Sequence, residues 1–305
     1  MPPEEGGGAV MMAWDQSTGT LRHFDGVSAA PRAVGSSLLT AEERAPPRRD
    51  MLLRSARAAA VPGEIALLAL AHERQGRLPW ASLFAPALAA AEAGFAMPRE
   101  MAIVLGRSPS GYAAVPELRQ LYFDASGQPL PAGTILHNPD QAAALRLLAA
   151  RGPAALYGGE IGQAIVRAVT GAAAPGGMTI DDLALYRAKE RDPLCAAIFA
   201  YRLCTAAPPA SGGIALIQQL SLLQRLNYAG QHFGSPRATH LLLEASRLAA
   251  GVPERLAQHS VQWRLLHTGF DVVDLAKRSG HGVERVLAVY WQMFDRLDLA
   301  WLWDG

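Results

Sequence analysis

The chain has 305 residues, 50% of them hydrophobic, and a formal net charge of +1 at neutral pH. That length and apolar content suffice for one large domain or two smaller ones. A charge so close to zero excludes nucleic acid or an anionic membrane as a partner bound through overall charge, and no local basic patch is visible. The sequence opens without a basic and apolar leader and has no membrane-length apolar run, which predicts a cytoplasmic product.

The first sixty residues predict one β-hairpin and a surface segment. Two strand-like runs, residues 10–14 and 20–25, flank a turn-forming stretch at 15–19. This arrangement is typical of a hairpin with a longer loop. Residues 31–62 are rich in Ala, Arg and Pro and have weak periodicity, so we interpret them as mostly surface.

Residues 63–186 predict a series of helices separated by glycines, prolines and polar turns. The helical segments are residues 63–75, 79–92, 97–106, 115–123, 139–151 and 160–170. Gly76 and Gly94 end the first two of these helices. After a flexible loop at 172–177, Thr179 is the predicted N-cap of a further helix.

Two cysteines flank a second predicted hairpin. If its strands meet at a two-residue loop, Phe199-Ala200, then Cys195 and Cys204 lie directly opposite each other at a non-hydrogen-bonded pair. At such a pair the Cα atoms are close enough for a disulfide. The alternative is two buried free thiols, which we favour because thiols stay reduced in the cytoplasm.

Residues 201–223 predict a strand, a Pro-Pro break and a helix. The proline pair cannot continue a sheet ladder. The apolar residues that follow recur at helical spacing: Ile214, Ile217, Leu220 and Leu223. Ser211 can cap this helix, and Gly212 and Gly213 let another backbone or a ligand approach its positive end.

A series of short motifs stands along the chain in a fixed order and spacing. They are DG at 25–26, VPG at 61–63, HERQGRLPW at 72–80, AEAGF at 91–95, GPAALYGGEIGQAIV at 152–166, MTIDDLALY at 178–186, RDPL at 191–194, HLL at 240–242 and RLA at 247–249. Together with residues 201–223 they closely resemble the large subunit of the γ-glutamyltranspeptidase (glutathione hydrolase) family. The resemblance implies an α+β fold, helix-rich, that forms part of an N-terminal-nucleophile (αββα) hydrolase. Because the family carries further elements ahead of the first hairpin, we expect one edge or face of its sheet to be open.

The chemistry implied by the resemblance is transfer or hydrolysis of γ-glutamyl groups from glutathione. In this family self-cleavage exposes a threonine whose own amine activates its hydroxyl, and that threonine begins the small subunit. The sequence shows no counterpart of the small subunit or of its oxyanion hole. Thr239-His240 superficially resembles the cleavage motif but precedes a helical run, whereas the nucleophile must begin a strand. We therefore predict no catalytic residue, no activity of this chain alone, and a separately encoded small subunit as partner.

The substrate-binding candidates follow from the same resemblance. In the family an arginine after Asp-Gly grips the α-carboxylate of the glutamyl group, and here Val27 follows Asp25-Gly26. Valine cannot bind a carboxylate, so either this contact is lost or another side chain, Arg22 or Arg32, replaces it. The remaining candidates are the residues that open the helix after the proline pair: Ser211, Gly212 and Gly213.

No metal or cofactor site is predicted. His72-Glu73 is not followed by a second histidine at helical spacing, and the eight histidines are scattered.

The C-terminal part differs from the rest of the chain. Helices are predicted at 214–226 and 236–250, and the Gly-Val-Pro at 251–253 then breaks the pattern and the family resemblance. The predicted domains are a γ-glutamyltranspeptidase-like fragment at 1–250, a junction at 251–260 and a helical tail at 261–305. Part of the tail is similar to the C-terminal helical region of large bacterial NAD-specific glutamate dehydrogenases, which implies a gene fusion.

Two further functions remain as alternatives. The chain could be a non-catalytic binding or assembly protein, or a scaffold with a DNA-binding tail, since Ala276, Gly280 and Val286 fit helix-turn-helix spacing. The recognition helix would be residues 283–291, which are apolar with one acid and one base. This composition suits a packed interface rather than a major groove.

Overall fold

A computed structural model describes residues 7–33 and 55–258. The chain divides into two units, Met1–Gly7 with Ser28–Arg187 and Gly8–Val27 with Ala188–Gly305. The predicted tail and its helix-turn-helix residues lie outside the described residues. Within the described residues, no helix is both long and apolar enough to span a bilayer.

The described elements are mostly helical. The strands are β1 (Ala9–Asp15), β2 (Thr20–Gly26), β3 (Phe95–Ala96), β4 (Ile135–Leu136), β5 (Lys189–Arg191), β6 (Leu194–Ile198) and β7 (Tyr201–Thr205). The helices are α1 (Glu64–Gln75), α2 (Ala85–Ala93), α3 (Arg99–Arg107), α4 (Pro109–Ala113), α5 (Pro116–Tyr122), α6 (Pro139–Arg151), α7 (Ala154–Tyr157), α8 (Glu160–Thr170), α9 (Ile180–Leu185), α10 (Ser211–Arg225) and α11 (Pro236–Gln258). The prediction of a helix-rich α+β fold is confirmed.

The first unit is helical except for the pair β3–β4. One of its two apolar clusters joins Val61 to residues of α6 to α9, and the other surrounds Met97 and Phe123. The helix ends follow the local chemistry: Gly94 ends α2 with φ +97°, a conformation that favours glycine. Thr179 caps α9 and exchanges hydrogen bonds with Asp182 in a capping box. The predicted helix 79–92 is instead a 3₁₀ turn, Trp80–Phe84, followed by α2.

A three-stranded antiparallel sheet in the order β1-β2-β5 begins the second unit. The central strand β2 is buried on both faces, since neighbouring residues His23 and Phe24 are both 0% exposed. Among the described residues β1 is an edge strand, and it exposes Val10, Met11 and Trp14. The expected open edge is therefore present.

The hairpin β6–β7 has the predicted register. Cys195 pairs directly with Cys204, and the two-residue loop is Phe199-Ala200. The preference for free thiols was wrong, because the two cysteines form a disulfide with their Cα atoms 4.1 Å apart. Pairing across the hairpin brings the thiols together before any bond forms, which the argument from compartment neglected.

The last two helices pack on each other through Leu222, Leu223, Leu241 and Ala245. We predicted that the second would end at residue 250, but α11 continues to Gln258, through Gly251, Val252 and Pro253. A proline inside a helix removes one N–H donor and costs about 3 kcal/mol. That cost is local, so it does not by itself set the end of a long helix.

Candidate functional site

The Asp25-Gly26-Val27 segment ends β2 in a network of hydrogen bonds. The Val27 N–H donates to Asp25 Oδ1 at 3.0 Å, and Arg191 Nε donates to Asp25 Oδ2 at 2.6 Å. The β2–β5 register pairs His23 with Arg191, so His23, Asp25 and Arg191 share one face of the sheet. The Asp25 side chain is only 8% exposed. Both carboxylate oxygens of Asp25 thus have partners within the chain.

Neither arginine proposed as a replacement at position 27 is without a carboxylate partner. Arg22 forms an ion pair with Glu190, on the sheet face opposite to Asp25. In the first unit, the Arg32 N–H and Nε donate to Asp182 Oδ1 at 3.2 and 3.0 Å.

Arg32 also acts on the ionisation of Asp182. Burial raises the pKa of Asp182, but hydrogen bonds from Thr179 and Arg32 outweigh it and hold the pKa below its usual value. Arg32 therefore binds an ionised carboxylate of its own unit.

His23 is a residue that the sequence analysis missed. Its ring is fully buried beside Asp25, and its Nδ1 accepts a hydrogen bond from the Ala207 N–H at 3.2 Å. The proton of the neutral ring therefore lies on Nε2, which has no hydrogen-bond partner among the described residues. A histidine between apolar residues of an alternating strand was the available signal. The Ala207 bond links β2 to the connection that leads into α10.

Burial of His23 gives a testable dependence of stability on pH. Burial lowers its pKa from the usual 6.5, with Asp25 opposing and Arg191 supporting this shift. The unfolded chain therefore binds the proton first as the pH falls through about 6.5, and the free energy of unfolding decreases. We expect His23→Asn, whose Oδ1 can still accept the Ala207 N–H, to show a smaller decrease between pH 7.5 and 5. Urea unfolding across this range measures it, and equal slopes in both proteins would contradict the assignment to His23.

The three residues that open α10 have different surroundings. The helix begins at Ser211, with Ala210 in the N-cap position and no side-chain cap, so the predicted capping by Ser211 was wrong by one residue. A Cβ on Gly213 would lie 2.5 Å from Thr205 Oγ1 and 2.6 Å from the Ala206 carbonyl oxygen, whereas one on Gly212 would meet no atom within 4 Å. Gly213 thus permits the approach of another backbone, and Gly212 leaves open space.

A cavity of about 640 Å³ lies at the end of the β2–β5 pair. Its lining residues are Thr20, Leu21, Arg22, Glu190, Arg191, Asp192, Pro193 and Ala207. Two arginines and two acids make this lining polar, and Arg191 and Ala207 connect it to Asp25 and His23. Val27 and the residues that open α10 are not part of the lining.

Thr239 lies in the first turn of α11, where its N–H donates to the Ser235 carbonyl oxygen at 2.9 Å. It therefore begins no strand, as expected. In the described part of the chain, no group of three or more His, Cys, Asp or Glu could hold a metal ion.

The C-terminal end is similar to a second family. The model of the glutamate dehydrogenase C-terminal region matches residues 234–304. This confirms the resemblance inferred for the tail and extends it backwards over the whole of α11.

Curated relatives cover most of this chain but less than half of their own length. An acylase ACY 1 proenzyme of Pseudomonas sp. (strain V22) is 37% identical over 196 residues, 64% of this chain and 34% of that protein. Glutathione hydrolase 5 proenzyme of Rattus norvegicus is 33% identical over 258 residues, 82% of this chain and 43% of that protein. The chain spans about a third to about half of the length of the curated relatives it matches.

Solved structures agree with the sequence matches. γ-Glutamyltranspeptidase from Pseudomonas nitroreducens has a TM-score of 0.70 and 28% identity, over 80% of this chain and 71% of that chain. The Helicobacter pylori enzyme shares the fold, with a TM-score of 0.74 over 96% of this chain and 79% of its own, at 23% identity. The γ-glutamyltranspeptidase family model matches residues 5–266. With this match over most of its length, the chain belongs to the γ-glutamyltranspeptidase family.

Proposed function

We propose that the chain supplies the large-subunit part of an enzyme that transfers or hydrolyses γ-glutamyl groups, and that it is inactive without a small subunit. The observation that carries this proposal is the position of Thr239 within α11. An N-terminal nucleophile must be released at a chain end with a free amine beside its hydroxyl. A threonine whose backbone is hydrogen-bonded within a helix does not meet this condition.

The purified chain is therefore expected neither to cleave itself nor to release product from a γ-glutamyl anilide. Gel electrophoresis after prolonged incubation, together with absorbance of the released aniline, measures both. A matched control is Thr239→Ala, which should behave as the unchanged chain does. Two fragments, with threonine at the new N-terminus and none in Thr239→Ala, would refute the proposal.

A second candidate is an acylase whose substrate lacks the glutamyl α-carboxylate. Val27 favours it, because this side chain offers a carboxylate neither charge nor hydrogen bond. Asp25 engages the nearby Arg191, and Arg22 and Arg32 pair with other acids. The 37% identity to an acylase proenzyme is consistent with this candidate.

Substitution of Val27 distinguishes the two candidates. With the small subunit of a related glutathione hydrolase co-expressed, we expect calorimetry to show no binding of glutamate or glutathione by the unchanged chain. Val27→Arg should gain measurable affinity, because each hydrogen bond to a charged group contributes about 1.5 to 3 kcal/mol. Val27→Met is the control, since it has similar length without charge.

Binding by the unchanged chain would show that another residue holds the carboxylate, and the acylase candidate would lose its main support. Binding by neither the unchanged chain nor the Val27→Arg variant would favour a non-catalytic binding or assembly role. The DNA-binding alternative concerns residues outside the described part of the chain and stays a hypothesis.

A further inference from the structure

Helix α11 belongs to two family matches at once. The γ-glutamyltranspeptidase model covers residues 5–266 and the glutamate dehydrogenase C-terminal model covers 234–304, so both include the whole of Pro236–Gln258. A helix in a folded unit buries a face against other elements of that unit. A helix that belongs to two units therefore needs two such faces.

The first of these faces is evident. Ala238, Leu241, Ala245 and Ala249 are buried and recur every three or four residues along α11. Leu241 and Ala245 pack on Leu222 and Leu223 of α10. This stripe is what α11 contributes to the second unit.

The rest of the helix surface divides into two sectors of different composition. At roughly 100° per residue, one sector carries the charged and ionisable side chains. These are Arg237, His240, Glu244 and Arg247. The other sector, called the outer face, contains no charged residue among those with described side chains. Its members are Thr239, Leu242, Leu243, Ser246 and Ala250.

The outer face exposes apolar surface. Leu243 is 62% exposed and Leu242 is 39% exposed, and Phe233, just before the helix, is 89% exposed. Solvent-facing positions of a surface helix are normally polar or charged, as the other sector is. An uncharged sector with two exposed leucines is typical of a face that a partner covers.

The chain itself supplies a partner with suitable chemistry. Residues 259–305 follow α11 directly and contain four of the six tryptophans, Trp263, Trp291, Trp301 and Trp303. Leu243 lies about 22 Å from the end of α11, and 47 residues span about 70 Å even if wholly helical. Length therefore permits this segment to return along the helix.

We propose that residues 259–305 dock on the outer face of α11, so that this helix is the shared element of two packed units. The segment, rather than a second copy of the chain, is the occupant because one family match joins it to α11. The predicted boundary near residue 250 then separates two sequence resemblances, while α11 holds both parts together.

Thiol labelling of single cysteine variants in the full chain tests the proposal. Leu243→Cys and Thr239→Cys place a thiol on the outer face, and His240→Cys places one on the charged sector. The native cysteines are joined in a disulfide, so the unchanged chain gives the background. Relative to its rate in denaturant, we expect each outer-face thiol to react with a maleimide at least about tenfold more slowly than the His240→Cys thiol.

Two results would overturn the proposal. Equal relative rates at positions 239, 240 and 243 would show that nothing covers the outer face. Slow labelling that becomes fast on tenfold dilution would show that a second copy covers it. An unchanged slow rate on dilution is the expected result, and the use of two outer-face variants keeps the test valid if one of them misfolds.

Discussion

Replacement of Asp25 by alanine is expected to lower the free energy of unfolding by about 2 to 4 kcal/mol. The buried carboxylate accepts hydrogen bonds from Arg191 Nε and the Val27 N–H, and its removal leaves both donors without this acceptor. The Arg191 side chain is 29% exposed, so water offsets part of the loss. Such a change is a large fraction of the stability of a typical domain. Urea unfolding followed by circular dichroism measures it.

Glu190→Gln is the matched control, because it breaks an ion pair between the same two strands on the other face of the sheet. There the Arg22 and Glu190 side chains are 39% and 31% exposed, and partly exposed pairs contribute at most about 1 kcal/mol. Asp25→Asn keeps an acceptor for the Val27 N–H and should lie between the two. If Asp25→Ala and Glu190→Gln lose the same free energy, Asp25 does not stabilise the end of β2.

The second large effect is expected at Gly213. An added methyl group would lie 2.6 Å from the Ala206 carbonyl oxygen, a backbone atom that cannot turn away as a side chain can. Overpacking of this kind costs about 1 to 3 kcal/mol, which exceeds the gain of up to about 1 kcal/mol from alanine in a helix. We therefore expect Gly213→Ala to destabilise the protein in thermal or urea unfolding.

Gly212→Ala is the natural comparison, since the two glycines are neighbours at the start of the same helix. Its methyl group would meet no atom within 4 Å, so we expect unchanged stability or a gain of about 0.4 to 1 kcal/mol. A Gly212→Ala variant with normal stability also allows ligand binding to be measured there. Equal losses in both variants would mean that helix start, rather than close approach, explains the pair.

Local patterns predicted the fold well where the deciding interactions are close in sequence. Counting outward from Phe199-Ala200 was sufficient to pair Cys195 with Cys204. Thr179 was recognisable as an N-cap because its partner Asp182 is three residues away. Helix ends set by tertiary packing were less predictable, and α11 runs past three residues that disfavour helix.

The candidate site was predictable only in part, because its contacts join distant residues. The Asp25-Gly26-Val27 segment was identified from a motif, but Arg191 reaches Asp25 only through the β2–β5 register. The bond from Ala207 to His23 likewise spans 184 positions of sequence. No periodicity within one element encodes such a pairing.

The disulfide between β6 and β7 makes the second unit sensitive to redox potential. The bridge joins residues separated by nine positions, so it closes a short ring and stabilises the folded state by about 2 to 3 kcal/mol, mainly by restricting the unfolded chain. Backbone pairing from Leu194 to Thr205 keeps the two thiols opposite each other after reduction. A change in the surrounding thiol–disulfide balance would therefore alter how often this unit unfolds while leaving the shape of its hairpin unchanged.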